Sequence, residues 1–300
     1  MSASCSSTTS TTPLDEPSRT ALVPSSKVTA SVSPLDGIHT RVIINELVAA
    51  SGNGPITKVD ITKTALSITA QIGGSPTVWT WQNGKIDSSA TQSTQTVSRP
   101  FDPDDFAVEK MPTILSKAAD ISGSHMNQNL QIVEYNQGTV LMTVSTKPES
   151  RTVFFRPDGS AINHIDFASP AAMAEALTDA VAGAKQVGQV SYQPGKAIMV
   201  DTPTTTPGVV MRRTRSADMP AWAVQRKGDA SATFSPTLLH PNVIIHIMNL
   251  TAAKANQKPS DMGWTITEDS KLNAPVLRVG VNGVTRAFNT DGTDVTDEVK

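Results

Sequence analysis

The chain has 300 residues, 38% of them apolar and 17% charged, with a formal net charge of −2. That length suffices for one large or two ordinary domains with a real core, and the near-balance of charge gives no reason to expect nucleic acid or an anionic membrane as partner. Cys5 is the only cysteine, which excludes an intrachain disulfide and a thiolate metal cluster, and no run nears the roughly 18 apolar residues of a membrane-spanning helix.

From Cys5 to about Asp36 the chain is dominated by Ser, Thr and Pro, as in Cys5-Ser6-Ser7-Thr8-Thr9 and Pro24-Ser25-Ser26. Such a stretch cannot bury enough apolar surface to offset its ordering entropy, so residues 1–36 are expected to be a disordered leader or tether. A cysteine directly ahead of a Ser/Thr-rich tether resembles the mature start of a bacterial lipoprotein, where the thiol is acylated and the leader holds a globular body off the membrane. Ala3 and Ser4 suit the small-residue positions before such a cysteine, while Ser2 stands where an aliphatic residue is usual. Cys5 is the candidate lipidation site. The charged and apolar parts of a signal peptide do not stand ahead of it, so either the sequence begins inside a longer precursor or Cys5 is an ordinary residue in the disordered start of a cytoplasmic protein.

Beyond the leader, Asp36 can cap a helix whose apolar residues Ile43, Ile44, Leu47 and Val48 recur at helical spacing until Gly52. Strands are expected at Ile56 to Ile61, Leu66 to Ile72 and Thr77 to Trp81, with Gly73-Gly74 as a turn. A second helix follows the acidic caps Asp102, Asp104 and Asp105; Pro112 requires it to kink there or to begin at Met111, and Gly123 ends it. Leu130 to Tyr135, Thr139 to Thr146 and Thr152 to Phe155 read as strands, separated by Asn136-Gln137-Gly138 and Lys147-Pro148-Glu149-Ser150.

Ser169 followed by Pro170 is a strong helix start, with Met173, Leu177 and Val181 on one face. The strands after it look irregular: Gly188 to Gln193, Ala197 to Val200, Val209 to Thr214 and Ala221 to Val224. Residues 202–207, with Pro203 and Pro207, are expected to be a loop. A last helix begins at His240-Pro241, buries Ile244, Ile247, Met248 and Thr251, and precedes strands at Gly263 to Glu268, Pro275 to Val281 and Val284 to Phe288. Asn282-Gly283 is a hairpin turn, and Asp291 to Glu298 reads as a solvated acidic tail.

The same programme thus runs four times, a helix and then strands, at a period of about 65 to 70 residues, longer than most solenoid repeats. Units tend to close on an aromatic residue shortly before a glycine: Trp81 to Gly84, Phe155 to Gly159, a stretched Trp222 to Gly228, and Phe288 to Gly292. Each unit alone is of marginal size for a core. The expected fold is therefore α+β, with tandem α-β-β-β units paired into two lobes, 37–165 and 166–300, and helices laid on one face of antiparallel sheets. This order resembles PepSY-like domains, small αβββ modules of bacterial envelope proteins, and the tandem-repeat lipoproteins of actinobacteria. What the resemblance implies is location and general role: an envelope binding, regulatory or accessory module. PepSY-like domains are linked to peptidase inhibition, but no residue here matches an inhibitory motif.

Catalytic signals are weak. Ser122-Gly123-Ser124-His125 lacks a nucleophile-elbow pattern and reads as a polar helix end. His240 and His246 fall on different helix faces, which argues against a shared metal. The clusters Asp102, Asp104, Asp105 and Asp291, Asp294, Asp297 lack calcium-loop register and read as caps and tail. Arg213 and Arg215 share one strand face, with Arg212 on the other; the expected role is a basic edge that discourages strand-to-strand aggregation, and the functional alternative is a weak anion or anionic-lipid contact. Trp79 and Trp81 face the same way, either into the core or onto a partner surface. The candidate partner surface is thus Trp79, Trp81, Arg213 and Arg215.

The functional expectation is a non-catalytic, lipid-anchored protein on the extracytoplasmic face of the cell membrane. It binds an envelope protein or cell-wall partner and needs no metal or cofactor. The alternative is a carrier of lipophilic ligands, which requires an apolar cavity of several hundred Å³.

Overall fold

Helical apolar spacing and strand alternation sort the chain into an α+β fold with two lobes. The computed structural model describes residues 32–90, 98–135, 139–148 and 151–300. Cys5 and most of the leader, the turn at Asn136-Gln137-Gly138, and Glu149-Ser150 lie outside the described residues.

In the first lobe α1 (Ile38–Ala50) starts where Asp36 accepts a hydrogen bond from the His39 N–H at 2.8 Å. A meander follows: β1 (Ile56–Ile61), β2 (Ala65–Ile72), β3 (Ser75–Gln82) and β4 (Lys85–Ala90). Helix α2 (Met111–Ser122) begins at Met111, with Pro112 in its first turn, where a missing N–H leaves no bond unmade, and ends at Gly123 (φ 73°). It leads into β5 (Asn129–Glu134), β6 (Val140–Ser145) and β7 (Val153–Phe155). The two meanders join antiparallel through their first strands, giving the order β4-β3-β2-β1-β5-β6-β7. Ile43, Ile44 and Leu47 of α1 and Met111 and Ile114 of α2 cover Val59, Ile68, Ile132 and Phe155 in one core.

The second lobe has the same succession. The Ser169 hydroxyl accepts from the Ala172 N–H at 3.1 Å and starts α3 (Pro170–Val181), followed by β8 (Gln189–Gln193), β9 (Ala197–Pro203), β10 (Val209–Ser216) and β11 (Trp222–Lys227). Helix α4 (Pro241–Ala255) precedes β12 (Trp264–Asp269), β13 (Ala274–Val281) and β14 (Val284–Asn289), in the order β11-β10-β9-β8-β12-β13-β14. Met173, Leu177, Ile244, Ile247 and Met248 pack on Val190, Val200, Ile266 and Val279. Ile165 belongs to this second core.

Four expectations need correction. Strand β4 was not foreseen, because Ile86 is its one large apolar residue; positive φ at Asn83 (51°) and Gly84 (77°) forms the two-residue turn that pairs it with β3. The strands after α3 form an even meander rather than an irregular set. Thr202 and Pro203 extend β9 instead of starting a loop: β8 stops opposite Asp201, so the proline meets no strand on that side and its missing donor is not needed. The C-terminal segment is not a free tail. Val295, 3% exposed, packs with Val276 and Ala287, and its N–H donates to the Ala287 carbonyl at 2.9 Å.

Two of the aromatic-to-glycine closings are turns that fold the chain back over a sheet edge. After Phe155, the Asp158 carboxylate accepts from the Ser160 N–H (2.8 Å), and the Ile162 N–H then donates to the Phe154 carbonyl on β7 (2.8 Å). After Phe288, Asp291 accepts from Thr293 (2.9 Å), and residues 293–295 run back along β14. Gly159 (φ 86°) and Gly292 (φ 97°) occupy the left-handed region, and a Cβ on them would touch the α2 and α4 side chains Ile114 and Val243 at 3.5 and 3.4 Å. Gly292→Ala is expected to lower the unfolding free energy by about 1–2 kcal/mol through backbone strain, read as a lower urea midpoint with an unchanged slope.

Candidate functional site

Residues of β10 alternate between two environments because successive side chains take opposite faces. Arg212 points to the sheet face that the helices leave open. There its guanidinium grips Asp201 of β9 with two 2.7 Å bonds, and Arg226 of β11 meets the same carboxylate at 3.6 Å. The Asp201 side chain is only 5% exposed, so a fork-to-fork pair in this partly desolvated place is stronger than a surface ion pair. Cross-strand pairing extends the row from Val224 through Arg212 and Asp201 to Gln189 and Thr267. Trp222 stands opposite Thr214 in the adjacent row, and Val224 is exposed. This is an open, mixed polar and apolar platform with two basic residues, Arg212 and Arg226, along one side, while Lys227, opposite Val209, takes the other face.

On the helix-facing side of β10 the environment is closed. Arg215 is 0% exposed. Its Nε donates to Asp179 of α3 (2.9 Å), one terminal nitrogen donates to the carbonyls of Met219 (2.7 Å) and Ser216, and the other to Asn163 (3.1 Å). Arg156, at the end of β7 in the first lobe, reaches the same Asp179 (3.1 Å to each oxygen) and Glu175 (2.8 Å). Burial opposes the charge on Arg156, yet Glu175 and Asp179 together hold its pKa above the usual arginine range. Nearby, Asp218 accepts from His164 (3.0 Å) and from Arg151 (3.2 Å). These bonds tie the lobes together around a cleft of about 180 Å³ that Leu141 and Ile162 share with Thr178 and Pro220.

The sequence-predicted partner surface is therefore divided. Arg215 cannot meet a partner, because it is enclosed in the joint. Strand β10 lies between β9 and β11, so its arginines are not an aggregation-blocking edge. Trp81 is 1% exposed and Trp79 packs against the first core, both on the helix-facing side opposite Leu66 and Ile68; the core alternative holds for both. Arg213 is half-buried and has no carboxylate partner among the described residues. Trp222 and Val224, which sequence reasoning passed over, lie on the open face instead. Their alternation with Ala223 was the available signal.

The other candidates remain dispersed. Among the described residues no three His, Cys, Asp or Glu side chains gather as a metal site. Asp102 caps a short 3₁₀ turn, while Asp104 and Glu109 bind Arg41 of α1 at 2.7 and 2.6 Å. His39 pairs with Asp36, and the Ser122 hydroxyl donates to the carbonyl of Ser124. No helix among the described residues is long and apolar enough to cross a membrane.

No protein-family model matches the chain, and no curated protein matches it. Solved structures to which it is similar include the DNA polymerase III β chain of Streptococcus pneumoniae (7% identity, 78% of this chain and 56% of that one, TM-score 0.16). Two others are the H. pylori β clamp in complex with 5-chloroisatin (10%, 83% and 60%, TM-score 0.15) and the DNA polymerase III β subunit of Thermotoga maritima (9%, 78% and 55%, TM-score 0.15). The chain spans less than two thirds of the length of each. At these TM-scores the likeness carries no argument about fold or function.

Two outcomes follow from the charges. Asp179→Ala strands the buried Arg215 and is expected to cost about 3–5 kcal/mol, measured by urea unfolding. Acid should also destabilise the fold. Arg41 holds the Glu109 carboxyl below its usual range, and His164 does the same for Asp218. For Asp269, burial works against the charge, but the Leu272 and Lys271 backbone N–H groups and Arg278 outweigh it. The unfolded chain then binds more protons, so stability is full above the ordinary carboxylate range and falls as pH drops below about 4. The urea midpoint should decline across that window.

Proposed function

We propose that this protein is a non-catalytic binding or accessory module of a bacterial cell envelope, held at the extracytoplasmic face of the membrane by a lipid on Cys5 and built from tandem PepSY-like units. The observation that carries the reading is the open face of the second sheet, where Trp222, Val224, Arg212 and Arg226 stand on a rigid sheet. A surface that mixes an aromatic, an aliphatic and arginines has the composition of a partner contact. The matching succession of helices, meanders and edge-covering glycine turns in the two lobes supports the tandem-unit part of the proposal. The leader supports the anchor, since a Ser/Thr/Pro-rich tether after an acylated cysteine lets a globular body stand clear of a bilayer.

Carriage of a lipophilic ligand is the weaker reading. The hollow enclosed between α3, α4 and the second sheet, beside Tyr192 and Trp264, holds about 10 Å³, room for one water and far short of an acyl chain. The roomier apolar hollow of about 430 Å³ between Leu177 and Val181 of α3 and Leu239 is a groove open to solvent rather than an enclosing cavity.

Expression in an actinobacterial host with labelled palmitate tests the anchor. Label should enter the wild-type chain, partition with membranes, and disappear in Cys5→Ser. A soluble, unlabelled wild-type protein, or hydrolytic activity abolished by a single substitution, would overturn the proposal.

A further inference from the structure

We propose that the exposed rim of β11 accepts a short extended segment of an acidic partner protein, added antiparallel to the second sheet as a further strand. This rests on the reading of the chain as a binding module and names the class of partner. Two other rims are closed by the chain itself: β7 by the Ile162 N–H on the Phe154 carbonyl, and β14 by the Val295 N–H on the Ala287 carbonyl. Nothing among the described residues covers β11 in this way.

The direction of its free groups follows from the ladder. The Gly228 N–H donates to the Gly208 carbonyl at 3.1 Å, and residues then pair in the register Arg226 with Val210 and Val224 with Arg212. Antiparallel alternation makes those the hydrogen-bonded pairs and turns the N–H and C=O of Gln225 and Lys227 away from β10. Ala223 is buried, while Val224 to Lys227 are exposed, so the open stretch is the second half of the strand. An unpaired rim of this kind is a template for another strand.

Charge selects the occupant. Arg226 and Lys227 lie on the rim, with Arg212 and Arg213 on the next strand. Against these four cations stands Asp201, already held by Arg212 in a bidentate pair. Lys227 and Arg213 have no carboxylate partner among the described residues. A strand bearing carboxylates would neutralise this surplus, whereas a second copy of this chain would bring two basic rims together. Val224 adds an exposed apolar contact on the open face.

The test titrates the full chain with a synthetic peptide of alternating valine and glutamate, and with its valine–lysine counterpart. Only the glutamate peptide should bind, more weakly as salt rises, and it should slow amide hydrogen exchange at Gln225 and Lys227. Gln225→Pro removes a donor that faces away from β10, so the sheet's own ladder is kept; it should weaken binding about tenfold or more, the worth of one or two ladder bonds. Lys227→Glu, at an exposed and unpaired position, should shift preference toward the lysine peptide and serves equally if the proline disturbs folding.

Binding with no protection at Gln225 and Lys227, or binding unaffected by both variants, would show surface charge alone and overturn the proposal. So would dimerisation through this rim, or failure of the glutamate peptide to bind. A Cys5-acylated protein that still captures its membrane partner as Gln225→Pro would leave the binding-module reading standing without the β11 rim.

Discussion

The arrangement of the two lobes depends on one carboxylate. Asp179 on α3 is shared by Arg156 from the first sheet and Arg215 from the second, and Arg215 has no access to water. A guanidinium in that position must have its donors satisfied inside the protein, and the chain meets the demand with the carbonyls of Asn163, Ser216 and Met219. The geometry of the joint is thus dictated by the needs of one buried cation. Both the linker and the β10–β11 loop are bent to supply acceptors.

Around that joint each lobe solves the same problem, a sheet whose apolar face needs cover and whose edges need closing. Helices supply the cover. Turns with an Asp and a glycine close β7 and β14, bringing residues 160–162 and 293–295 back along the rim. The opposite faces of the sheets carry polar rows, with Gln131 bonded to Asp60 in the first (2.6 Å) and Arg212 to Asp201 in the second. Such faces remain available because antiparallel sheets tolerate water on one side.

Much of this was readable from local chemistry. Ser169-Pro170, Gly123, Gly73-Gly74 and Asn282-Gly283 are punctuation with a single physical meaning, and they fall where the helices and turns begin or end. The clean alternation of Leu66, Ile68 and Ala70 likewise identified a strand with one dry face. What the residues alone did not reveal was neighbourhood. Strand β4 has almost no apolar pattern and exists because β3 offers it a ladder. Whether Arg215 is a surface charge or a buried hub depends on α3, some 36 positions away. Trp79 and Trp81 share a face, as their spacing requires, but which face is dry is decided by where α1 lies. The platform around Trp222 was hidden for the same reason, since its aspartate lies on a different strand.

The location of the seam has a consequence for dissecting the molecule. Asn163 and Ile165 already serve the second lobe, one through its carbonyl on Arg215 and the other through its place in the core and its N–H on Ala217. A cut just after Ile162 therefore leaves the downstream fragment with its guanidinium fully satisfied, while the upstream fragment loses both acidic partners of Arg156. The halves are not equivalent as independent units: autonomy belongs to the one that keeps Asp179.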